Sequence, residues 1–450
     1  MTLTEFEIAI SPACRLAIEQ NIGRNPVDIA LDKHIENAQI VATQVKRLQR
    51  AKSKLPSYYA VRAVLPPRAY EQSSSEAVAD CKRMGGNSAL DLTAGLGVDV
   101  LALSRHFDRV VCCERDEVLS QITRYNLNLL GVKNVEVLNI SAEEYLEQCS
   151  DHFDWIFVDP DRRTESGDRV VLLEDCSPNV VALMERMRGV SDNVCIKCSP
   201  LFDTAEALRL FEGCSVSTLS LGGECKQVNI YIDNTAPTIR AEAVGVASFE
   251  IGQSEAYSAP FAAPTTDFER YKYLILPDVS LVHSRLVAAA FAGRADVWSN
   301  NGVALATERP QGVVGRVFEI ERVCRFGDKE LKKLLKGSRT ELFLRDFAMG
   351  SAALYRKFSM REGADARWCF TRIDQALLAF KLIESFLKSC HPRSTASISA
   401  FTPFSIVEIA ATIATILSWS AVLTRLCGSM CAREQRRLMY PLVLFSMGGA

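Results

Sequence analysis

The chain has 450 residues, enough for two or three domains, and its 48% hydrophobic and 24% charged content is that of an ordinary globular protein. A formal charge of −2 excludes a globally basic nucleic-acid binder and leaves room for a local basic patch. Fifteen cysteines include one adjacent pair, Cys112 and Cys113, and one C-x-x-C from Cys195 to Cys198. They sit mostly in apolar runs without zinc-ribbon spacing, and the five histidines are scattered, so buried reduced thiols in a cytoplasmic protein are expected rather than disulfides or a metal site.

In chain order, residues up to about Ser57 read as helix, ending in the basic stretch "VKRLQRAKSKLP", with Pro56 expected to stop it. The N-terminus lacks a basic-then-apolar opening, so no signal peptide is expected. An irregular Pro-Pro and Ser-rich segment then leads into a serine-capped helix. From Asn87 short apolar runs alternate with helical stretches. "SALDL", "RVVCCE", "VEVLNI", "WIFVD" and "NVCIKCS" read as parallel strands with crossovers, and "VSTLSL" and "VNIYID" as an antiparallel hairpin across "GGECKQ". Residues 240–385 carry "YKYLILPD", "RVFEIERVCRF", the basic helix "DKELKKLLKGSR" and "ELFLRDF", and read as a small α+β domain. The leucines at 331, 334 and 335 are expected to form that helix's inner face, leaving its lysines outward. The final apolar stretch "FTPFSIVEIAATIATILSWSAVL" is interrupted by Glu408, and the sixteen uncharged residues that follow fall short of the ~20 a span requires. A buried tail helix and a membrane contact both stay open there.

The chemistry concentrates at the ends of the candidate strands. "DLTAGLGVD" closes the first: Gly95 and Gly97 let the chain turn tightly and let a ligand approach the backbone. A dinucleotide fingerprint would have a third glycine where Val100 stands. Glu114 ends the second strand and is placed to bind a ribose diol. The fourth runs into "DPDRR", residues 159–163, where acids and arginines meet the carboxyl edge of the sheet. On its own that loop reads equally as a surface turn with an internal Asp–Arg pair, Glu114 as a solvated acid, and the glycines as a plain turn. The C-x-x-C lies in an apparent core strand, which argues against a redox role. Asp175, Cys176 and Lys197 are open to either a pocket-lining or a loop-capping role.

"DLTAGLGVD", Glu114 and the Asp-Pro loop together resemble a class I S-adenosylmethionine-dependent methyltransferase. "EQSSSE" (71–76), "DPDRR", "LLEDCSPNVV" (172–181), "KCSPLFD" (197–203) and "ELKKLLKG" (330–337) are similar to a bacterial family with a THUMP-like C-terminal domain, over roughly residues 40–385. The resemblance implies that Asp91, Gly95 and Gly97 wrap the methionine part of the cofactor. Glu114 would hold its ribose, Ser141 and Ala142 would lie by its adenine, and Asp159 with Pro160 would reach the transfer center. "EQSSSE" would lie over the pocket. Enzymes with an Asp/Asn-Pro-Pro-Tyr loop methylate exocyclic amines of bases. Here Asp159 and Pro160 keep the first half of that motif, and Asp161 and Arg162 replace the rest. Arg162 and Arg163 then offer stacking and phosphate contacts. THUMP-type domains are associated with RNA, which turns Lys332, Lys333 and Lys336 into candidate RNA contacts.

The expected architecture is α/β: a Rossmann-like, seven-stranded methyltransferase sheet with a terminal antiparallel hairpin. A helical region (1–70) precedes this domain (71–235), a THUMP-like α+β region (236–387) follows, and a tail (388–450) of unassigned role ends the chain. The expected activity is methyl transfer from S-adenosylmethionine to an RNA base, an exocyclic guanine amine being favoured, without metal. A protein or small-molecule substrate, or a degenerate RNA-binding module, are the alternatives.

Overall fold

The structure is a computed structural model that describes residues 1–162 and 172–383. The expectations for Arg163 and for the tail from 388 lie outside the described residues. Among these residues no helix is long and apolar enough to cross a membrane.

Seven helices precede the first strand: α1 (Leu3–Ile10), α2 (Pro12–Asn21), α3 (Pro26–Ala30), α4 (Ala38–Lys54), α5 (Pro56–Ala60), α6 (Pro67–Gln72) and α7 (Glu76–Ala79). Thr2 and Glu5 form a reciprocal cap on α1, and Ser11 and Asn25 cap α2 and α3. Pro56 follows the end of α4, which stops at Lys54 as the sequence suggested. It also begins α5, because a proline lacks only an amide hydrogen that the first turn leaves unbonded in any case. These helices do not form a separate layer. Val41, Val45 and Leu48 of α4 and Tyr58 of α5 share one core with the sheet residues Ala89, Cys112, Phe157 and Cys195.

The seven expected strands all form: β1 (Gly86–Asp91), β2 (Phe107–Cys113), β3 (Val135–Leu138), β4 (Trp155–Val158), β5 (Val194–Cys198), β6 (Ser215–Leu221) and β7 (Glu224–Ile232). Between them lie α8 (Val98–Leu103), α9 (Glu117–Leu129), α10 (Ala142–Gln148), α11 (Val180–Val190) and α12 (Thr204–Leu210). The strand order is β3-β2-β1-β4-β5-β7-β6; the first five are parallel, and β7 pairs antiparallel with both β5 and β6. Successive side chains enter opposite cores. Cys112 and Cys195 join the core under the N-terminal helices, while Cys113 and Cys198 join the core with α11. The two cysteines of the C-x-x-C therefore lie on opposite faces of β5, which is why they cannot pair.

The sheet does not stop at seven strands. β8 (Thr238–Ala243) pairs parallel with β6, and β9 (Ala247–Gly252) pairs antiparallel with β8, so nine strands cross the border placed near residue 235. Ile239, Ala241 and Ala243 of β8 are buried, while Arg240 and Glu242 pair at 3.0 Å on the other side. Which edge such an alternating segment joins depends on distant partners and is not written in its own pattern.

A second, mixed sheet of eight strands follows, in the order β11-β12-β10-β13-β17-β16-β14-β15. Its elements are β10 (Tyr273–Pro277), α13 (Val279–His283), α14 (Val287–Phe291), β11 (Asp296–Val297), β12 (Ala304–Ala306), β13 (Gly315–Arg325), α15 (Lys329–Leu335), β14 (Arg339–Arg345), α16 (Ser351–Phe358), β15 (Arg361–Glu362), β16 (Ala366–Ile373) and β17 (Ala376–Ile383). Asp278 ties the two sheets together: its Oδ1 accepts from the Ser280 amide at 2.8 Å, capping α13, and from the Ser220 hydroxyl of β6 at 2.5 Å. Leu331 and Leu335 of α15 are buried against Trp368 and Phe370, as expected. Leu334 is 38% exposed, because a helix this short buries one narrow stripe, centred on residues four apart.

Candidate active site

A parallel sheet opens a crevice at its carboxyl edge where neighbouring strands send their chains to opposite faces. Here that place lies between β1 and β4, and a cavity of about 600 Å³ occupies it. Four strand ends supply its floor and walls: Leu92–Leu96 after β1, Cys113–Asp116 after β2, Ile140–Glu143 after β3 and Asp159–Arg162 after β4. Arg68, Ala69 and Glu71–Ser73, from α6 and the residue after it, close it from above.

The turn after β1 first continues the ladder, with the Leu92 amide donating to the Phe157 carbonyl and the Ala94 amide to the Cys113 carbonyl, both at 2.9 Å. Then Gly95 (φ +53°) and Gly97 (φ +82°) reverse it in the left-handed region. Two side chains hold the turn from behind: the Thr123 hydroxyl donates to the Gly95 carbonyl at 2.6 Å and the Tyr58 hydroxyl to the Leu96 carbonyl at 3.2 Å. A Cβ on Gly97 would stand 2.9 Å from Thr123 Cγ2. Gly95 lines the cavity; Gly97 lies behind the wall and shapes it.

Glu114 faces the cavity with both oxygens already oriented. Oε2 accepts from the Gly95 amide and Oε1 from the Asp116 amide, each at 2.9 Å, and each oxygen keeps a second lone pair for a ligand. Burial lifts its carboxyl above the ordinary glutamate value, against the pull of those two amides. Ser141 and Ala142 line the neighbouring wall, but the Ser141 hydroxyl is engaged in a reciprocal cap with Glu144 at the start of α10. Asp91 is fully buried beneath the turn and does not line the cavity. Its Oδ1 accepts from the Thr93 amide at 2.8 Å, while its buried Oδ2 has no hydrogen-bond partner. Burial pushes this carboxyl up to about 8, the Thr93 amide opposing.

Asp159 stands at the cavity with 35% of its side chain open, its amide donating to the Thr93 hydroxyl at 2.6 Å. Behind it is a group of buried charges of which the sequence singles out only Lys197, as a residue open to either a pocket-lining or a loop-capping role. Lys197 Nζ bonds Asp159 Oδ2 and lies 3.4 Å from Asp99 Oδ2. Asp99 also pairs with Lys82 and accepts from the Ser74 hydroxyl at 3.1 Å. Burial works against the Lys197 ammonium, but the carboxylates of Asp159 and Asp99 more than reverse that and hold its pKa above the ordinary lysine value. Asp99 is likewise held well below the carboxylate range, its burial outweighed by Lys197 and Lys82. Nothing about the stretch "CKRM" marked Lys82 beforehand.

The "EQSSSE" segment is fastened over this site, since Glu71, Gln72 and Ser73 line the cavity, Ser74 bonds Asp99, and Glu76 accepts from the Ser57 amide (2.9 Å) and hydroxyl (2.6 Å). Arginines frame the rim. Arg162 and Arg115 are exposed there, and Arg68 reaches Asp161 at 3.3 Å across 93 residues of sequence. Arg47 and Arg50 both reach Glu71. Lys332, Lys333 and Lys336 are exposed on and just after α15, and none of the three lines the cavity.

A family model described as conserved hypothetical protein 95 matches residues 76–188, and one described as THUMP domain-like matches residues 315–381. Over 324 residues the chain is 26% identical to an uncharacterized S-adenosylmethionine-dependent methyltransferase of Mycobacterium tuberculosis, covering 69% of this chain and 85% of that protein. A tRNA/tmRNA (uracil-C(5))-methyltransferase of Sodalis glossinidius is 30% identical over 143 residues, which is 27% of this chain and 36% of that protein. A crystal structure from Porphyromonas gingivalis W83, described as a methyltransferase, shares the fold with a TM-score of 0.71 at 24% identity, over 83% of this chain and 97% of that one. The chain is a class I methyltransferase with a THUMP-like domain.

Proposed function

We propose that this S-adenosylmethionine-dependent methyltransferase modifies an RNA base in the cytoplasm, at an exocyclic amine and most favourably that of guanine. The observation that carries the reading is the placement of the Asp159 carboxylate and Pro160 at a cavity rimmed by arginines.

The residues present fit the cofactor. The Gly95 turn leaves backbone exposed at the cavity, Glu114 keeps lone pairs for a ribose diol, and about 600 Å³ suits a ligand of this size. Ser141 and Ala142 would border the adenine. Bound there, S-adenosylmethionine supplies an electrophilic methyl group on a sulfonium whose leaving group is a neutral thioether. The chain's task is therefore alignment. Asp159 would accept a hydrogen bond from the amine and so aim the nitrogen lone pair into the cavity, and the proton that the nitrogen loses on methylation would pass to solvent. Arg162, with Arg68 and Arg115 beside it, suits the phosphates flanking a base drawn into the cavity, and Lys332, Lys333 and Lys336 suit phosphates farther along the strand. A relative named for tRNA and tmRNA supports an RNA substrate.

The test is incubation with radiolabelled S-adenosylmethionine and total RNA, with RNase-treated and protein-only controls. RNase-sensitive label that nucleoside analysis assigns to an N2-methylguanine supports the reading. Label that survives RNase, with cofactor binding confirmed by calorimetry, moves the substrate to protein or a small molecule. Asp159→Ala is expected to lower transfer about 10³-fold while leaving cofactor affinity within about threefold.

A further inference from the structure

We propose that Lys197 is a positioning residue that aims Asp159: its ammonium, held from behind by Asp99, takes Oδ2 of Asp159 and leaves Oδ1 to the substrate amine. The inference rests on the reading of Asp159 given above. Three observations carry it. Lys197 projects from β5, the strand beside β4, so its root is set by the sheet and not by a loop. Its Nζ contacts two carboxylates, Asp159 at the cavity and Asp99 at the start of α8, while Asp99 is itself secured by Lys82 and Ser74. And of the four only Asp159 and Asp99 line the cavity, with Asp159 by far the more open, 35% of its side chain against 11% for Asp99, 11% for Lys197 and 3% for Lys82.

Buried ion pairs contribute little net stability, because desolvation offsets their attraction. What such an arrangement does provide is a carboxylate with one direction. The groups facing it are Lys197 and Cys198 from β5, Asp99 from α8, Lys82 from the segment after α7, and Asp91 from β1, with Lys54 of α4 adding like charge near Lys197. Two lysines and two carboxylates cancel locally. Burial already raises the Asp159 pKa against the pull of Lys197; removal of Lys197 takes that pull away, and protonation would then cost Asp159 an acceptor site.

The experiment uses the full chain with K197M, K197R, D159N and the double variant K197M/D159N. K197M is expected to lower kcat about 10²-fold, the usual scale for a misplaced reacting group, with KM for RNA and cofactor changed less than about threefold. K197R should recover about tenfold of that loss, since it keeps the charge and shifts the contact. In the D159N background K197M should change kcat by less than about threefold, because the group it aims is gone. An unchanged kcat in K197M, or an equal loss with and without Asp159, overturns the proposal. Should K197M not fold, K197R compared in the two backgrounds applies the same criterion. Should the wild type label no RNA, the RNA reading fails, and infrared spectroscopy decides on Lys197 separately. At neutral pH K197M should show, beyond the band that protonated Asp91 gives in every form, an additional C=O stretch of a protonated carboxyl that is missing from the wild type and from K197M/D159N. Its absence from K197M overturns the proposal.

Discussion

The two sheets of this chain handle charge in opposite ways. At the carboxyl edge of the first, Lys82, Asp99 and Lys197 are packed together behind the part-open Asp159, and each of the four has a partner within bonding distance. On the second, Lys332, Lys333 and Lys336 stand exposed on and just after a short helix whose Leu331 and Leu335 do the packing. Buried charge acts over one bond length and depends on geometry, whereas exposed charge acts over a Debye length of about 8–10 Å and depends on salt. The first arrangement suits a reacting center, the second a long polyanion.

That contrast can be broken or sharpened by measurement. The largest effect is expected at the turn on which the buried site rests. Gly97→Ala forces a left-handed φ and a 2.9 Å contact with Thr123 on a side chain, and should cost about 2–4 kcal/mol in thermal or denaturant unfolding. Gly95→Ala, whose Cβ would meet nothing closer than 3.9 Å, should cost only about 1–2 kcal/mol. Equal losses would mean the turn is not braced by α9. Next, Glu114→Gln removes a charged acceptor and should weaken cofactor binding by about 1.5–3 kcal/mol in calorimetry.

Replacing Lys332, Lys333 and Lys336 by alanine should leave cofactor binding unchanged, weaken RNA binding, and lower the salt slope of RNA affinity by about 2. A salt slope that does not move would return these lysines to an ordinary solvated surface. A separate effect concerns Asp91 and pH. Its folded pKa of about 8 lies above the 3.8 of an ordinary aspartate, so the folded chain keeps a proton that the unfolded chain has released. Stability should therefore fall as pH rises through that window, and Asp91→Asn should flatten the fall. Melting curves at several pH values within the window check the sign.

Much of the first sheet could be read before any coordinates. Its strands are short β-rich runs separated by crossovers, and α9, α10 and α11 each start on a side-chain cap, at Asp116, Ser141 and Asn179. The glycine turn and Glu114 were legible for the same reason, being local features at the end of a strand. Less legible were the pieces whose state depends on something far away. That α4 would stop before Pro56 was legible, but that Pro56 also starts α5 was not, since it goes with the next turn packing Tyr58 into the core. The β8–β9 hairpin looked like part of the next domain because nothing in "TIRAEA" names β6 as its neighbour.

The sequence by itself determined the α/β alternation, the hairpin that closes the seven-stranded order, and the acids and glycines at the strand ends, because these follow from side-chain period and turn chemistry over a few residues. Only the tertiary structure decided which charges meet. Lys197 and Asp99 are 98 residues apart, and what joins them is the parallel order β1-β4-β5, which lays the end of one strand beside the start of a helix after another. No local pattern encodes that distance, since buried charges are tolerated only where the whole fold brings their partners to them.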